Sequence, residues 1–95
     1  MGINEKKYKE ARKMLCQYLY YLAKQKGITQ SQIARKTGFT RNNVSRMLSG
    51  RYSPSLDNFI RLAEAVDSFF FIIDKEADDD LVETMNNRWK LNNNN

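Results

Sequence analysis

Residues 40–46, TRNNVSR, place six hydrogen-bonding side chains in seven positions: Thr40, Arg41, Asn42, Asn43, Ser45 and Arg46. A guanidinium offers a planar fork of donors, a carboxamide both donors and an acceptor, and a hydroxyl either role. Arginine and asparagine can each grip a flat polar edge with two bonds at once. The chemistry on offer is therefore recognition of a polar edge or an anion. Apolar residues recur at helical spacing on both sides of Gly38, and the glycine breaks the pattern. The polar cluster so belongs to a second short helix, whose first helix stops just before it.

Composition removes most catalytic alternatives. The chain holds no histidine and one cysteine, so the usual zinc patterns and an intrachain disulfide are excluded. A nucleophilic cysteine ordinarily needs a histidine partner. Cys16 reads instead as a small apolar group on a helix, in a reducing cytoplasm. No pair of carboxylates stands near a plausible pocket, so no enzyme activity, catalytic residue, metal or cofactor is expected. Asp78, Asp79 and Asp80 are consecutive and cannot converge on one ion from a helix; they read as helix N-terminal charge. No run of 18 apolar residues occurs, so no membrane span is expected, and the charged MGINEKKYKE start does not read as a secretory signal.

Charge is divided along the chain. Residues 1–54 hold 12 Lys/Arg and 2 Asp/Glu, whereas residues 55–95 hold 4 and 9. The basic half would concentrate a polyanion around it; the acidic half would not.

Ninety-five residues with 41% hydrophobic content fit one domain with a modest core, and one proline with four glycines favours helices. The predicted fold is mostly α: four to five helices over residues 1–67, followed by a short strand at 68–74 and a C-terminal helix. Residues 5–26 form a long helix with an apolar stripe of Tyr8, Ala11, Leu15, Leu19 and Leu22, ended by Gly27. Thr29 and Gln32 make a capping box for a helix over 30–37. Thr40 caps the helix 41–49, which buries Val44, Met47 and Leu48. Pro54 delays re-entry until Ser55 caps the helix 56–66, with Leu56, Phe59, Ile60, Leu62, Ala63 and Val66 as its apolar residues. The run SFFFIID, 68–74, is aromatic and β-branched, which favours a strand. Residues 77–90 suit a last helix with Leu81, Met85 and Trp89 on one face, and 91–95 read as a disordered tail.

Two short helices joined by a tight turn cross at roughly 90–120°. Arg41, Asn42 and Ser45 fall at i, i+1 and i+4, on the face opposite Val44 and Leu48. A duplex major groove about 12 Å wide admits one such helix, arginine matching guanine O6 and N7 and asparagine matching adenine N6 and N7.

Residues 29–66, TQSQIARKTGFTRNNVSRMLSGRYSPSLDNFIRLAEAV, resemble the helix-turn-helix domain of the lambdoid phage repressor and Cro family. The resemblance is carried by Gln30 opening the first short helix, Ala34, Gly38 in the turn, Val44, Gly50 and the closing SLDNFIRLAEAV. It implies a third helix that reads DNA, usually as a dimer on a near-palindromic operator. Carried over by position, Arg41, Asn42 and Ser45 would face bases, and Gln30, Thr40, Asn43, Arg46, Arg51 and Ser53 would face phosphates. Two departures stand out. Asp67 occupies the position of the family's glycine after the fourth helix, and the FFFII run replaces its fifth helix.

A lone strand has no ladder partner. Phe69, Phe70, Phe71, Ile72 and Ile73 are therefore expected at a homodimer interface, with 68–74 pairing antiparallel across two chains. The leading expectation is a cytoplasmic, sequence-specific DNA-binding transcription regulator that inserts helix 41–49 in the major groove. The alternative is an antitoxin-type module whose acidic residues 74–90 engage a partner protein.

Overall fold

The computed structural model describes residues 5–76 and 79–89, with the backbone alone at 85, 88 and 89. Among these residues the helices are α1 (Glu5–Lys26), α2 (Gln30–Thr37), α3 (Arg41–Leu48), α4 (Leu56–Ala65) and α5 (Asp79–Trp89).

Local chemistry sets the helix starts. Thr29 is extended and its hydroxyl accepts from the Gln32 amide at 3.1 Å, while Gln32 Oε1 accepts from the Thr29 amide at 2.8 Å, completing the capping box. Thr40 and Ser55 accept from the amides of Asn43 and Asn58 in the same way. Each cap satisfies a donor that an α-helix leaves without an internal partner.

Three helices close on one device. After α1 the Ile28 amide donates to Ala23 O and the Gly27 amide to Lys24 O. After α3 the pairs are Arg51 to Arg46 and Gly50 to Met47; after α4 they are Ser68 to Ala63 and Asp67 to Glu64. This is the Schellman arrangement, which needs a left-handed residue at its corner. Gly27, Gly50 and Asp67 supply it with φ of 72°, 85° and 60°. Asp67 does so despite its side chain, since a short polar residue tolerates this region better than most.

The core lies where α1, α2, α3 and α4 meet. Leu19, Ala23, Ile33, Val44, Met47, Leu48, Leu62, Ala63, Ala65 and Val66 are buried together, with Leu22, Ile28, Ala34, Phe39 and Phe59 packed around them. Cys16 is fully buried on the same side of α1. Burial raises its thiol pKa, against the opposing pull of the Arg12 charge, so the sulfur stays a neutral packing group.

Several expectations need correction. Residues 68–74 form no strand. The physical reason is that strand structure requires a ladder, and among the described residues there is no neighbouring strand to donate or accept. The buried stripe of α1 runs through Cys16, Leu19 and Ala23; Tyr8 is exposed, and Ala11, Leu15 and Leu22 are half-buried. The helix is turned toward α3 and α4, which pack against it. On α4, Leu56 and Ile60 are exposed, and the core takes Leu62, Ala63 and Ala65. Helices α3 and α4 each end one residue earlier than expected, with Ser49 and Val66 as caps. The last helix spans Asp79–Trp89; residues 77, 78 and 90, the side chains of Met85, Arg88 and Trp89, and the tail 91–95 lie outside the described residues.

Candidate nucleic-acid interface

The turn between α2 and α3 begins at Gly38, with φ of 84° and its amide donating to Ala34 O at 2.9 Å. Thr37 strengthens this corner: its hydroxyl donates to Ile33 O at 2.8 Å and accepts from the Phe39 amide at 3.2 Å. The half-buried Phe39 ring then drops toward the core, with the Arg61 guanidinium 6.0 Å above it. The turn is thus held by backbone geometry and one hydroxyl, and α3 leaves it at a defined angle against α2.

Helix α3 is divided sharply. Val44, Met47 and Leu48 are buried, and Arg41, Asn42, Asn43, Ser45 and Arg46 are exposed. At about 100° per residue, Asn42 stands about 160° from Val44, Ser45 about 100° and Arg41 about 60°. Asn42 therefore opposes the core, while Ser45 and Arg41 flank it on one side. The three side chains still share a sector free of protein. Thr40 Oγ1 uses its acceptor capacity on the Asn43 amide and keeps its O–H to donate outward.

The C-terminal end of α3 is tied to the domain. Arg46 O accepts from the amides of Arg51 and Tyr52, each at 3.1 Å, and from Ser49 Oγ at 3.0 Å. The Arg46 guanidinium lies 5.7 Å from the centre of the Tyr52 ring, a cation–π contact that spreads the side chain over the loop. Arg46, Arg51 and Ser53, all exposed, so cluster at the α3–α4 corner. Gln30 sits at the first position of α2, half-buried, and α2 packs against α3. The residues expected from the sequence to face bases, Arg41, Asn42 and Ser45, fall on α3; of those expected to face phosphates, Asn43 and Arg46 fall on α3 as well, Thr40 is its N-cap, Arg51 and Ser53 follow it and Gln30 opens α2.

Sequence reasoning missed the residues that fix this corner. Arg12 Nη1 donates to Gly50 O at 3.3 Å and Gln17 Nε2 to Ser49 O at 3.2 Å. Lys26 Nζ donates to Val66 O and Asp67 O, both at 2.8 Å. Helix α1 thereby caps the C-terminal carbonyls of α3 and α4, where cations and donors are favoured. These pairs span 32 to 41 residues, so no local pattern could reveal them. Gly50 adds a close approach: a Cβ there would meet Lys13 Cγ at 3.0 Å.

The family profile for helix-turn-helix domains matches residues 19–68, more than half of the chain. The chain belongs to the helix-turn-helix family of repressor and Cro type. That family is one of DNA-binding transcription regulators. This helix-turn-helix protein is also similar to an uncharacterized HTH-type transcriptional regulator of Methanothermobacter thermautotrophicus, 37% identical over 58 residues, covering 57% of this chain and 84% of that protein. No solved structure matches it. Among the described residues, no helix of this helix-turn-helix protein is long and apolar enough to cross a membrane.

Proposed function

We propose that the protein is a sequence-specific regulator that places α3 in the DNA major groove, with Arg41, Asn42 and Ser45 toward base edges. The observation that carries this reading is the split of α3: its apolar residues are all buried, and its polar side is exposed and stands between two cationic ends. Gln30, Thr40, Asn43, Arg46, Arg51 and Ser53 would hold the phosphates on either side of the groove. Phosphate contacts fix the register of such a helix and carry no sequence information themselves. Removing Arg41 and Asn42 should therefore abolish sequence preference and leave salt-dependent binding. Each lost bidentate contact costs about 1–3 kcal/mol of discrimination. Selection from random duplexes with wild type and with Arg41→Ala/Asn42→Ala tests this; the same selected motif from both proteins would refute the assignment.

The proposed working form is a homodimer on a near-palindromic operator, in a reducing cytoplasm. Phe69, Phe71 and Ile72 are 100%, 71% and 81% exposed and Phe70 is 42% exposed, with Ile73 half-buried beside them. So much contiguous apolar surface is costly in water and marks an interaction site. Two copies joined there would present half-sites about 34 Å apart, one turn of DNA. Selected operators with twofold symmetry at that spacing support the dimer; an asymmetric single site removes it. A second reading uses the exposed acids Asp79, Asp80 and Glu83 of α5, within residues 74–90, to bind a basic partner protein. Co-purification from the native host separates the two.

A further inference from the structure

We propose that the N-terminal half of α1 is a second phosphate-binding ridge, in which Lys6, Lys9 and Lys13 follow the DNA backbone outside the footprint of α3. This rests on the DNA-binding reading above and adds residues that the helix-turn-helix match does not cover, since that match begins at residue 19. Helix α1 starts at Glu5, so 14 of its 22 residues, 5–18, precede the match. Of these, residues 5–10 are exposed, 11–15 are half-buried and Cys16 is fully buried, so the first two turns project beyond the packed part of the helix.

Three observations place the ridge. First, the extension is anchored on the α3–α4 corner: Arg12 bonds Gly50 O, Gln17 bonds Ser49 O, and Lys13 packs against Gly50. That corner carries Arg51 and Ser53, both exposed. Second, the spacing is directional. Positions 6, 9 and 13 step by three and four residues and fall within about 60° of one another on the helix. Gln17, four residues beyond Lys13, continues that side onto the end of α3, where it bonds Ser49 O. Third, residues 5–10 are exposed throughout, so Lys6 and Lys9 are free of the core, and only the stem of Lys13 is used in packing. From Lys13 to Lys6 the helix rises about 10 Å, and phosphates on one strand recur about every 3.4 Å along the duplex axis, so each of the three ammonium groups can meet its own phosphate. The acids Glu5 and Glu10 lie off this stripe, about 80° and 60° from Lys13.

The test is a fluorescence-anisotropy titration of the full chain on a long duplex between 50 and 200 mM salt. Wild type is compared with Lys6→Gln/Lys9→Gln, which touches no packing, and with the triple variant including Lys13→Gln, which keeps the stem. Each neutralised phosphate contributes about 0.9 to the log–log salt slope. The double variant should lose about 1.8 from that slope, so its drop in affinity across this range becomes about twelvefold smaller. The triple variant should lose about 2.7. Both should select the same DNA motif as wild type. An unchanged slope in the double variant, with wild type still binding specifically, overturns the ridge alone. If wild type itself shows no DNA binding, the underlying reading fails instead, and Arg41→Ala/Asn42→Ala tells the two apart by removing preference and leaving the slope contributed by α1.

Discussion

The segments on either side of Ser68 obey different rules, although both are rich in apolar residues. Before it, every buried apolar residue among those described lies between Cys16 and Val66, and the starts of α2, α3 and α4 and the ends of α1 to α4 each have a backbone or side-chain partner. After it, the most apolar run of the chain, Phe69 to Ile73, leaves Phe69, Phe71 and Ile72 largely in solvent. Phe70 packs edge-on to Phe59 at 5.2 Å. A shallow groove of about 380 Å³ remains beside it, lined by Leu15, Tyr18, Leu22, Phe59 and Phe71 among others. Hydrophobicity drives burial only where a complementary surface exists and where the backbone going with it can also be satisfied. The first region meets both conditions within one chain. The second meets them only in part, through Phe70 on Phe59 and the half-buried Ile73.

The comparison is broken most forcefully from the first region. Leu62 is fully buried at the centre of the core, and Leu62→Ala should cost about 2–5 kcal/mol in chemical denaturation. A loss below 1 kcal/mol would mean that the four-helix core is not the unit of stability. Gly50 and Gly27 sharpen the next level, because both are left-handed but only Gly50 is crowded by Lys13. Gly27→Ala should lose about 1–2 kcal/mol from the backbone alone, and Gly50→Ala more, read as a lower thermal midpoint. Equal losses would remove the close approach of α1 to the α3–α4 corner.

Cys16 gives a smaller, pH-dependent effect. Its pKa is raised in the folded state, so the folded protein holds the thiol proton more tightly than the unfolded chain does. That preference is fully present below the ordinary thiol value of about 8.5 and is lost as pH rises through the folded value. Thermal midpoints should therefore fall between pH 8 and pH 10 for wild type, and the fall should be shallower in Cys16→Ala. The smallest change is expected beyond Ser68. Phe69→Ser/Phe71→Ser should shift the stability of the dilute protein by no more than about 0.5 kcal/mol, as for exposed sites generally. In sedimentation at tens of micromolar the same variant should lose any self-association that wild type shows.

The legibility of the two regions differs for the same reason. Thr29, Gln32, Thr40 and Ser55 act as caps because each closes a hydrogen bond within three residues, and such chemistry is written in short spacings. Gly27, Gly38 and Gly50 are readable because a left-handed corner restricts residue type. Asp67 is the exception, filling that corner where the family has glycine. The polar sector of α3 was readable too, although Arg41 and Ser45 flank the core instead of opposing it. The rotation of α1 was not: Tyr8, Leu15 and Leu22 are as apolar as Cys16, Leu19 and Ala23, and periodicity alone cannot choose between adjacent faces. The strand at 68–74 failed because residue preference describes a willing strand, whereas a ladder needs a neighbour.

What the order of residues decided without help is the list of helices, their caps and corners, and the concentration of donors and cations on and around α3, since all of these depend on contacts within a few positions or on composition. What only the packed molecule decided is which face of α1 turns inward, how Arg12, Gln17 and Lys26 hold the carbonyl ends of α3 and α4, and that the aromatic run after Ser68 is left outside. The bonds of Arg12, Gln17 and Lys26 join residues more than 30 positions apart, and the free energy that selects such contacts exists only once the four helices have met.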